Sequence, residues 1–191
     1  MNVIRIDAAA QTVSRWSGGT TTQLAIAPRG ALYAERDFLW RVSSAVVELP
    51  ESDFTPLPDY DRILMILEGN LTLSHDGGEE YALRPLEQTS FDGASRTFSQ
   101  GQVTDFNLMM RKGLCTGRVE ARVLNDDAWS DPLQHEYESH LVYCFRGNTE
   151  ATVGGKVHTL EKGDALLVEG TDSDCVIRGN ATIVLAEMKT S

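Results

Sequence analysis

Two short segments alternate polar and apolar side chains in a way that could build a ligand site. Strand alternation places Arg41 and Ser43 on one face, and it likewise places Asp105 and Asn107 together. An arginine holds a carboxylate through two parallel N–H···O bonds, and serine or asparagine side chains orient polar groups of a ligand. We therefore expect a pocket wall, although a solvated outer face fits the alternation around Arg41 equally well.

A third segment combines a large ring, a glycine pair and polar side chains. Trp16 is followed by Gly18 and Gly19 and then by four residues with hydroxyl or amide groups, which include Thr22 and Gln23. Uncharged donors and acceptors of this kind set the orientation of a ligand in an otherwise apolar pocket. The alternative is core packing by Trp16 beside an ordinary glycine turn. We predict that Trp16, Thr22 and Gln23 contact a ligand.

The chain contains two copies of one pattern. Gly69 in the tripeptide EGN returns as Gly147 in RGN, 78 residues later, and the turn glycine Gly77 returns as Gly154, 77 residues later. A repeat of this length is a domain-sized unit rather than a solenoid repeat. A position at which only one copy keeps a polar side chain is therefore a candidate for function.

The second copy replaces most of the polar set with apolar side chains. Aligned at these offsets, Asp105, Asn107 and Phe91 correspond to Thr182, Val184 and Val168, and Arg62 corresponds to His140. One active pocket backed by a structural copy explains this difference better than two equivalent sites do. We expect the pocket in the first copy, with Asp105 paired to Arg62 or Arg41 because a buried charge needs a partner.

The elements that must position these residues are β-strands. Short apolar runs bounded by Gly, Pro, Asp and Asn recur along the chain, whereas long segments with a 3.6-residue period are scarce. No linker-like segment separates the copies, so we expect them to join within residues 125–131 and to pack together. Residues 1–115 are expected to carry the pocket, and residues 116–191 to be mainly structural.

Each copy runs through a strand, a glycine turn, a hairpin and a further turn, which is the pattern of cupins. The predicted fold class is therefore all-β, with two tandem cupin-like jelly-roll barrels packed together as a bicupin. In the first copy, the positions of the usual cupin metal ligands hold Arg62, residues 55–58 and roughly Thr97, which offer no imidazole or carboxylate. We expect no metal and no other cofactor there, and a permanent cation at Arg62 that can hold a ligand carboxylate.

The second copy offers a metal site on paper. His140 stands at the cupin glutamate position, His135 at a histidine position and Asp174 near the last position, which together make a two-histidine, one-carboxylate set. Exposed loop histidines are the simpler interpretation, because an alignment across such loops can slip by several residues. The sequence does not decide whether these three side chains meet in space.

Four ordered motifs resemble those of the HutD family, which also includes the Ves stress-induced proteins. They are the WSGGTTTQ segment from Trp16, the FLWRVSSA strand from Phe38, the Asp61-Arg62 pair followed by LEG, and the DFNLM strand from Asp105. The resemblance implies a two-cupin fold without the usual metal ligands, an association with histidine catabolism, and binding of a small metabolite such as formiminoglutamate or formylglutamate. The chain departs from the common first motif by a shorter glycine segment and by Gln23 in place of an acid.

Composition and charge exclude several classes of protein. The 191-residue chain carries 17 basic and 28 acidic residues, a formal charge of −11 that disfavours nucleic acid and anionic membrane surfaces as partners. The sequence contains no run of about 18 apolar residues, which is the length needed to span a bilayer. The three cysteines have no C-x-x-C spacing and are expected to be buried thiols. These features predict a cytoplasmic protein whose partner is a small carboxylate ligand, and a homodimer is a further hypothesis.

The combined prediction is a HutD-family cupin protein that binds a small carboxylated metabolite and acts in the regulation of histidine utilization or amino-acid metabolism. Arg62 and Arg41 would hold carboxylate. Polar groups of the ligand would be fixed by Asn107, Ser43 and Gln23. Apolar walls of the pocket would be formed by Trp16 and Phe91. No nucleophile–base pair is recognisable, so a binding protein is favoured over an enzyme. The alternatives are a metal-free lyase or isomerase with Asp105 as base, a metal enzyme that uses the second copy, and a protein-interaction module with a vestigial pocket.

Overall fold

The computed structural model describes residues 1–170 and 174–191, and these residues form β-strands joined by short turns. Two short 3-10 helices, Ala8–Ala10 and Tyr33–Glu35, interrupt the strands. The strands are β1 Asn2–Ile6, β2 Thr12–Trp16, β3 Gly19–Ala27, β4 Trp40–Val47, β5 Glu51–Asp53, β6 Tyr60–Glu68, β7 Leu71–His75, β8 Tyr81–Leu83, β9 Gln88–Asp92, β10 Thr97–Gln100, β11 Val103–Arg111, β12 Cys115–Ser130, β13 Ser139–Val153, β14 Lys156–Glu161, β15 Ala165–Glu169 and β16 Cys175–Thr190. The all-β class predicted from the sequence is confirmed.

The chain divides into two compact units. The N-terminal unit is Thr12–Cys115, and the C-terminal unit is Met1–Gln11 together with Thr116–Ser191. The N-terminal unit has a six-stranded sheet in the order β2-β3-β4-β11-β6-β9 and a four-stranded sheet in the order β5-β10-β7-β8. Apolar side chains of both sheets meet in one core, which includes Leu64 of β6 and Leu73 of β7.

The C-terminal unit is a single six-stranded sheet. Its order is β1-β15-β13-β16-β12, and β14 pairs with β13 as well. Strand β1 belongs here because it pairs antiparallel with β15, and Asp164 accepts hydrogen bonds from Arg5 Nη2 at 2.8 Å and from the amide of Ala8 at 2.9 Å. Residues 1–11 therefore lie with the second copy, although the sequence assigned them to the first half. The two closed barrels also expected are not what the pairing shows, since the described strands form three open sheets.

The sequence repeat is also present in the strand pairing, because equivalent residues of the two copies have equivalent partners. Arg62 pairs with Phe91 on β9 and with Met109 on β11, and His140, its counterpart, pairs with Val168 on β15 and with Glu187 on β16. A bulge interrupts the β6–β11 pairing at Thr104/Asp105, and the β13–β16 pairing is interrupted at the equivalent place. The two units are therefore two versions of one β-strand arrangement.

The paired registers correct one detail of the alignment. Thr97 pairs with His75 and Cys175 pairs with Val153, which restores the offset to 78 from β10 onward. The counterparts of Asp105 and Asn107 are therefore Ile183 and Leu185 and not Thr182 and Val184, because the second copy has one additional residue between β15 and β16. With this alignment, both counterparts in the second copy are fully apolar, whereas the earlier alignment included a threonine.

The repeated glycine is required by close backbone approach in both copies. Gly69 has a φ of +85°, and a Cβ there would lie 2.5 Å from the carbonyl oxygen of Gln102. Gly147 has a φ of +76°, and its Cβ would lie 2.0 Å from the carbonyl oxygen of Asn180, which is the counterpart of Gln102. Other residues would meet both the strain of a positive φ and this clash.

All three cysteines are buried thiols, as expected. Burial raises the pKa of Cys144 to about 11 and that of Cys175 to about 12, so both stay protonated at neutral pH. In the part of the chain that the structure describes, no helix has both the length and the apolar character needed to cross a membrane.

Candidate functional site

A cavity of about 390 Å³ opens on the six-stranded sheet of the N-terminal unit. Six of the residues singled out from the sequence line it, namely Trp16, Arg41, Ser43, Arg62, Asp105 and Asn107. Their convergence follows from register, because Ser43 lies opposite Asn107, and Arg41 and Arg62 both lie opposite Met109. Residues opposite each other on neighbouring antiparallel strands point to the same face of the sheet.

The three other predicted residues do not line the cavity. Gln23 lies behind Arg41, and its Oε1 accepts a hydrogen bond from Arg41 Nε at 2.8 Å. Thr22 is next to the lining residue Thr21 and points to the opposite face because strand side chains alternate. Phe91 supports the site from one side, with its ring centroid 5.3 Å from Cζ of Arg62.

Arg41 is held in place by neighbouring side chains. Besides the bond to Gln23, its Nη1 donates to Ser43 Oγ at 3.3 Å, and its Cζ lies 4.2 Å from the centroid of the Tyr33 ring. The residue is 4% exposed, and burial is the main cause of a lowered pKa. Ser43 and Gln23 therefore orient Arg41, and the Ser43 hydroxyl, which accepts from Arg41, keeps its own O–H as a donor.

Arg62 lies between two aromatic rings. Its Cζ is 4.9 Å from the ring centroid of Phe54, and Phe91 lies at a similar distance on β9. Burial lowers the pKa of Arg62 to about 10, against the attraction of Tyr33 and Asp105, so the guanidinium stays charged at neutral pH. Its Nε is buried and has no hydrogen-bond partner among the described residues.

Asp105 is 5% exposed and carries a perturbed carboxyl group. Burial raises the pKa of Asp105 to about 7, although Arg62 and the backbone amide of Ala45 favour the charged form. The expected ion pair of Asp105 with Arg62 or Arg41 is not formed, since no salt bridge joins them among residues 1–170 and 174–191. Asp105 Oδ1 and the neighbouring Asn107 Oδ1 are both buried, and neither has a hydrogen-bond partner in the part of the chain that the structure describes.

Sequence reasoning missed Tyr33 and Arg36, which also line the cavity. They belong to a turn around the second 3-10 helix, where the strand alternation that identified the other residues does not apply. Arg36 Cζ lies 3.7 Å from the centroid of the Tyr33 ring. The only signal in the sequence is their spacing of three residues, which brings side chains together on a 3-10 turn.

The HutD family model matches residues 8–185 of the chain. The chain belongs to the HutD family. A comparison with curated proteins finds no match.

Solved structures resemble this HutD-family chain over nearly its full length. A conserved protein of unknown function from Pseudomonas aeruginosa PAO1 is 22% identical with a TM-score of 0.85, and the match covers 99% of this chain and 100% of that one. HutD from Pseudomonas fluorescens SBW25 is 23% identical with a TM-score of 0.76 and full coverage of both chains. The bacterial pirin YhhW from Escherichia coli, in complex with nickel(II), is 9% identical with a TM-score of 0.68 over 97% of this chain and 98% of that one. At these identities the likeness shows a shared cupin-like fold.

In this HutD-family chain, the second copy uses the counterpart of Arg62 for a buried polar cluster. His140 Nδ1 lies 2.9 Å from Oε1 of Glu187, which also accepts from the amide of Gln134 at 2.7 Å, and Arg118 Nε donates to Oε2. Although burial opposes it, hydrogen bonds led by that of His140 lower the pKa of Glu187. The polar groups of His140 and Glu187 are thus hydrogen-bonded to other groups of the protein.

The three residues of the hypothetical metal set in the second copy do not assemble. His140 is buried against Glu187 near the end of β16, whereas Asp174 is exposed and directly precedes the start of that strand. His135 is exposed. Among the described residues, no three His, Cys, Asp or Glu side chains are close enough to hold a metal ion.

Proposed function

We propose that the cavity of the N-terminal unit binds a small carboxylated metabolite of the formiminoglutamate or formylglutamate type. The observation that carries the proposal is the clustering of unpartnered polar atoms. Four such buried atoms, Arg36 Nη1, Arg62 Nε, Asp105 Oδ1 and Asn107 Oδ1, belong to residues that line this cavity. A buried polar group without a partner costs about 1–3 kcal/mol, so a ligand that satisfies several of them gains affinity.

The charges of the cavity favour an anion. Arg15, Arg36, Arg41 and Arg62 contribute four guanidinium groups, against two carboxyls at Asp53 and Asp105. None of these four arginines forms a salt bridge within the described residues. Because the chain as a whole has a charge of −11, attraction of an anion has to arise locally at these arginines. HutD of Pseudomonas fluorescens was solved in a formate condition, and formate is the smallest carboxylate.

Family membership supports a role in the regulation of histidine utilization or amino-acid metabolism, in which the protein senses the metabolite. Among the described residues, no hydrogen bond joins a serine that lines the cavity to Asp53 or Asp105, so we propose binding rather than catalysis. We propose that each unit is one cupin-like half, that the protein acts in the cytoplasm, and that its ligand is a metabolite and not nucleic acid or membrane. A homodimer is part of the same proposal.

A metal-free lyase or isomerase is the second candidate function, because one observation favours it. Asp105 has a pKa near 7 and faces the cavity, which suits a general base at neutral pH. Incubation of the best ligand with the protein, followed by proton NMR, separates the two functions. An unchanged ligand spectrum over hours supports binding, and turnover that stops in Asp105→Asn supports catalysis.

A thermal-shift screen tests the binding proposal. Ligand at about 100 times its dissociation constant adds about 2.7 kcal/mol of stability, which for a chain of this size raises Tm by roughly 5–10 °C. Formiminoglutamate and formylglutamate should shift Tm more than urocanate, histidine or unrelated acids at the same ionic strength. Arg62→Gln should abolish the shift. Arg84→Gln removes the same charge from an exposed turn outside the cavity and should not. Stabilisation by neutral or cationic compounds alone would overturn the proposal.

A further inference from the structure

Arg36 and Arg41 share one aromatic ring in the cavity. Their Cζ atoms lie 3.7 Å and 4.2 Å from the centroid of the Tyr33 ring, so two like charges are held close together. The charge of Arg36 contributes, after burial, to the lowered pKa of Arg41. No carboxylate among residues 1–170 and 174–191 forms a salt bridge with either side chain. This pair of cations lacks the anion that would relieve its repulsion.

The backbone of Arg36 is fixed in an unusual conformation that directs the side chain to this ring. Its φ is +56°, which is uncommon for a residue other than glycine. The hydroxyl of Tyr60 shares its hydrogen between the carbonyl oxygens of Arg36 at 2.9 Å and Phe38 at 3.0 Å, and Nη2 of Arg111 donates to the Arg36 oxygen. Arg111 Nη2 also lies 3.1 Å from the Tyr60 hydroxyl. Tyr60 and Arg111 are therefore positioning residues for Arg36.

Three arginines of the cavity are supported by different rings. Arg62 packs against Phe54 and Phe91, whereas Arg36 and Arg41 pack against Tyr33. On each support one buried nitrogen, Arg62 Nε or Arg36 Nη1, has no hydrogen-bond partner within residues 1–170 and 174–191. Two unpartnered donors held by different rings are better matched by a ligand with two acceptor groups than by a ligand with a single carboxylate.

The unpartnered acceptors complete the description of the ligand. Asp105 Oδ1 and Asn107 Oδ1 are buried in the same cavity and need N–H or O–H groups. We propose that Arg36 and Arg41 form a second anion subsite, so that the cavity selects a diacid whose carboxylates bind at Arg62 and at Arg36/Arg41 and whose N–H group faces Asp105 and Asn107. N-acyl and N-formimino amino diacids have this chemistry. The inference rests on the proposed function and specifies its ligand class.

The test compares two ligands that differ in one carboxylate, N-formylglutamate and its side-chain amide N-formylglutamine. Isothermal titration of the unmodified protein should give about 10- to 100-fold tighter binding of the diacid, the effect of one charge-assisted hydrogen-bonded contact. Arg36→Gln should remove this selectivity and leave the affinity for the monoacid within about threefold. Arg62→Gln should weaken both ligands, and Arg84→Gln should change neither.

A second variant tests the positioning of Arg36. Tyr60→Phe keeps the ring, which stacks on Phe38 with centroids 4.3 Å apart, but removes the hydroxyl that binds the Arg36 carbonyl. The ratio of the two affinities should fall, which a general loss of stability would not produce. Equal binding of both ligands by the unmodified protein overturns the second subsite and leaves the carboxylate site standing. Failure of both ligands to bind instead contradicts the proposed function itself.

Discussion

Replacement of Asp105 by asparagine should change how stability depends on pH. The carboxyl has a pKa of about 7 in the folded protein, against an ordinary value of 3.8, because it is buried. The folded state therefore holds this proton more tightly than the unfolded chain does. Stability from this group is complete below about pH 4 and is lost as pH rises through about 7. The amide of the Asp105→Asn variant cannot ionise, so the variant lacks this loss.

The size of the effect follows from the shift in pKa. A difference of about three pKa units corresponds to roughly 4 kcal/mol at full ionisation. About half of this loss of stability, roughly 2 kcal/mol, occurs between pH 5.5 and 8.5. The other half occurs between about pH 4 and 5.5, because there the unfolded carboxyl is already ionised and the folded one is still protonated. Relative to the parent, Asp105→Asn should gain this amount of unfolding free energy across that range.

Urea unfolding followed by tryptophan fluorescence at fixed ionic strength measures the effect. The informative quantity is the change with pH in the difference between variant and parent, because any altered hydrogen bond of the new amide contributes equally at every pH. Asp53→Asn is the matched control, since Asp53 is exposed and lines the same cavity, and its stability change should stay within about 0.5 kcal/mol. A difference for Asp105→Asn that is constant from pH 5.5 to 8.5 would refute the reasoning.

Three further predictions concern metal, the second copy and the glycine turn. Excess chelator should leave the thermal unfolding curve unchanged, and a stoichiometric metal lost together with stability would contradict this. His140→Ala should lower the unfolding free energy by about 3 kcal/mol in urea titrations, because Glu187 loses a buried partner, while ligand affinity in calorimetry should not change. Gly18→Ala should weaken ligand binding and shift tryptophan emission, because its Cβ would lie 2.0 Å from the Trp16 ring; unaltered affinity and emission would show that the indole position is unimportant.

The sequence determined the local features of this protein. Alternation placed Arg41 with Ser43 and Asp105 with Asn107, and all four line the cavity, because the two-residue period of a strand is a local property. The short apolar runs bounded by turn residues, which predict strands, do form strands such as β7 and β8. The resemblance also identified the HutD family correctly.

Contacts between distant segments were decided by the tertiary structure. Gln23 and Arg41 are 18 residues apart, and only their packing shows that the amide oxygen of Gln23 accepts a hydrogen bond from Arg41 and orients it. The sequence assigned strand β1 to the first half because it precedes that copy along the chain. In the structure, β1 pairs with β15, more than 150 residues away, because that sheet edge accepts its backbone hydrogen bonds.

The tertiary structure also decided which charges are paired. Burial, and not the identity of the residue, raises the pKa of Asp105, and Arg62 Nε is buried without a hydrogen-bond partner in the described part of the chain. Arg36 joins the site because hydrogen bonds from Tyr60 and Arg111 hold its backbone at a positive φ. Alternation and composition carry no information on such long-range hydrogen bonds or on solvent exclusion, since both depend on how strands and turns pack.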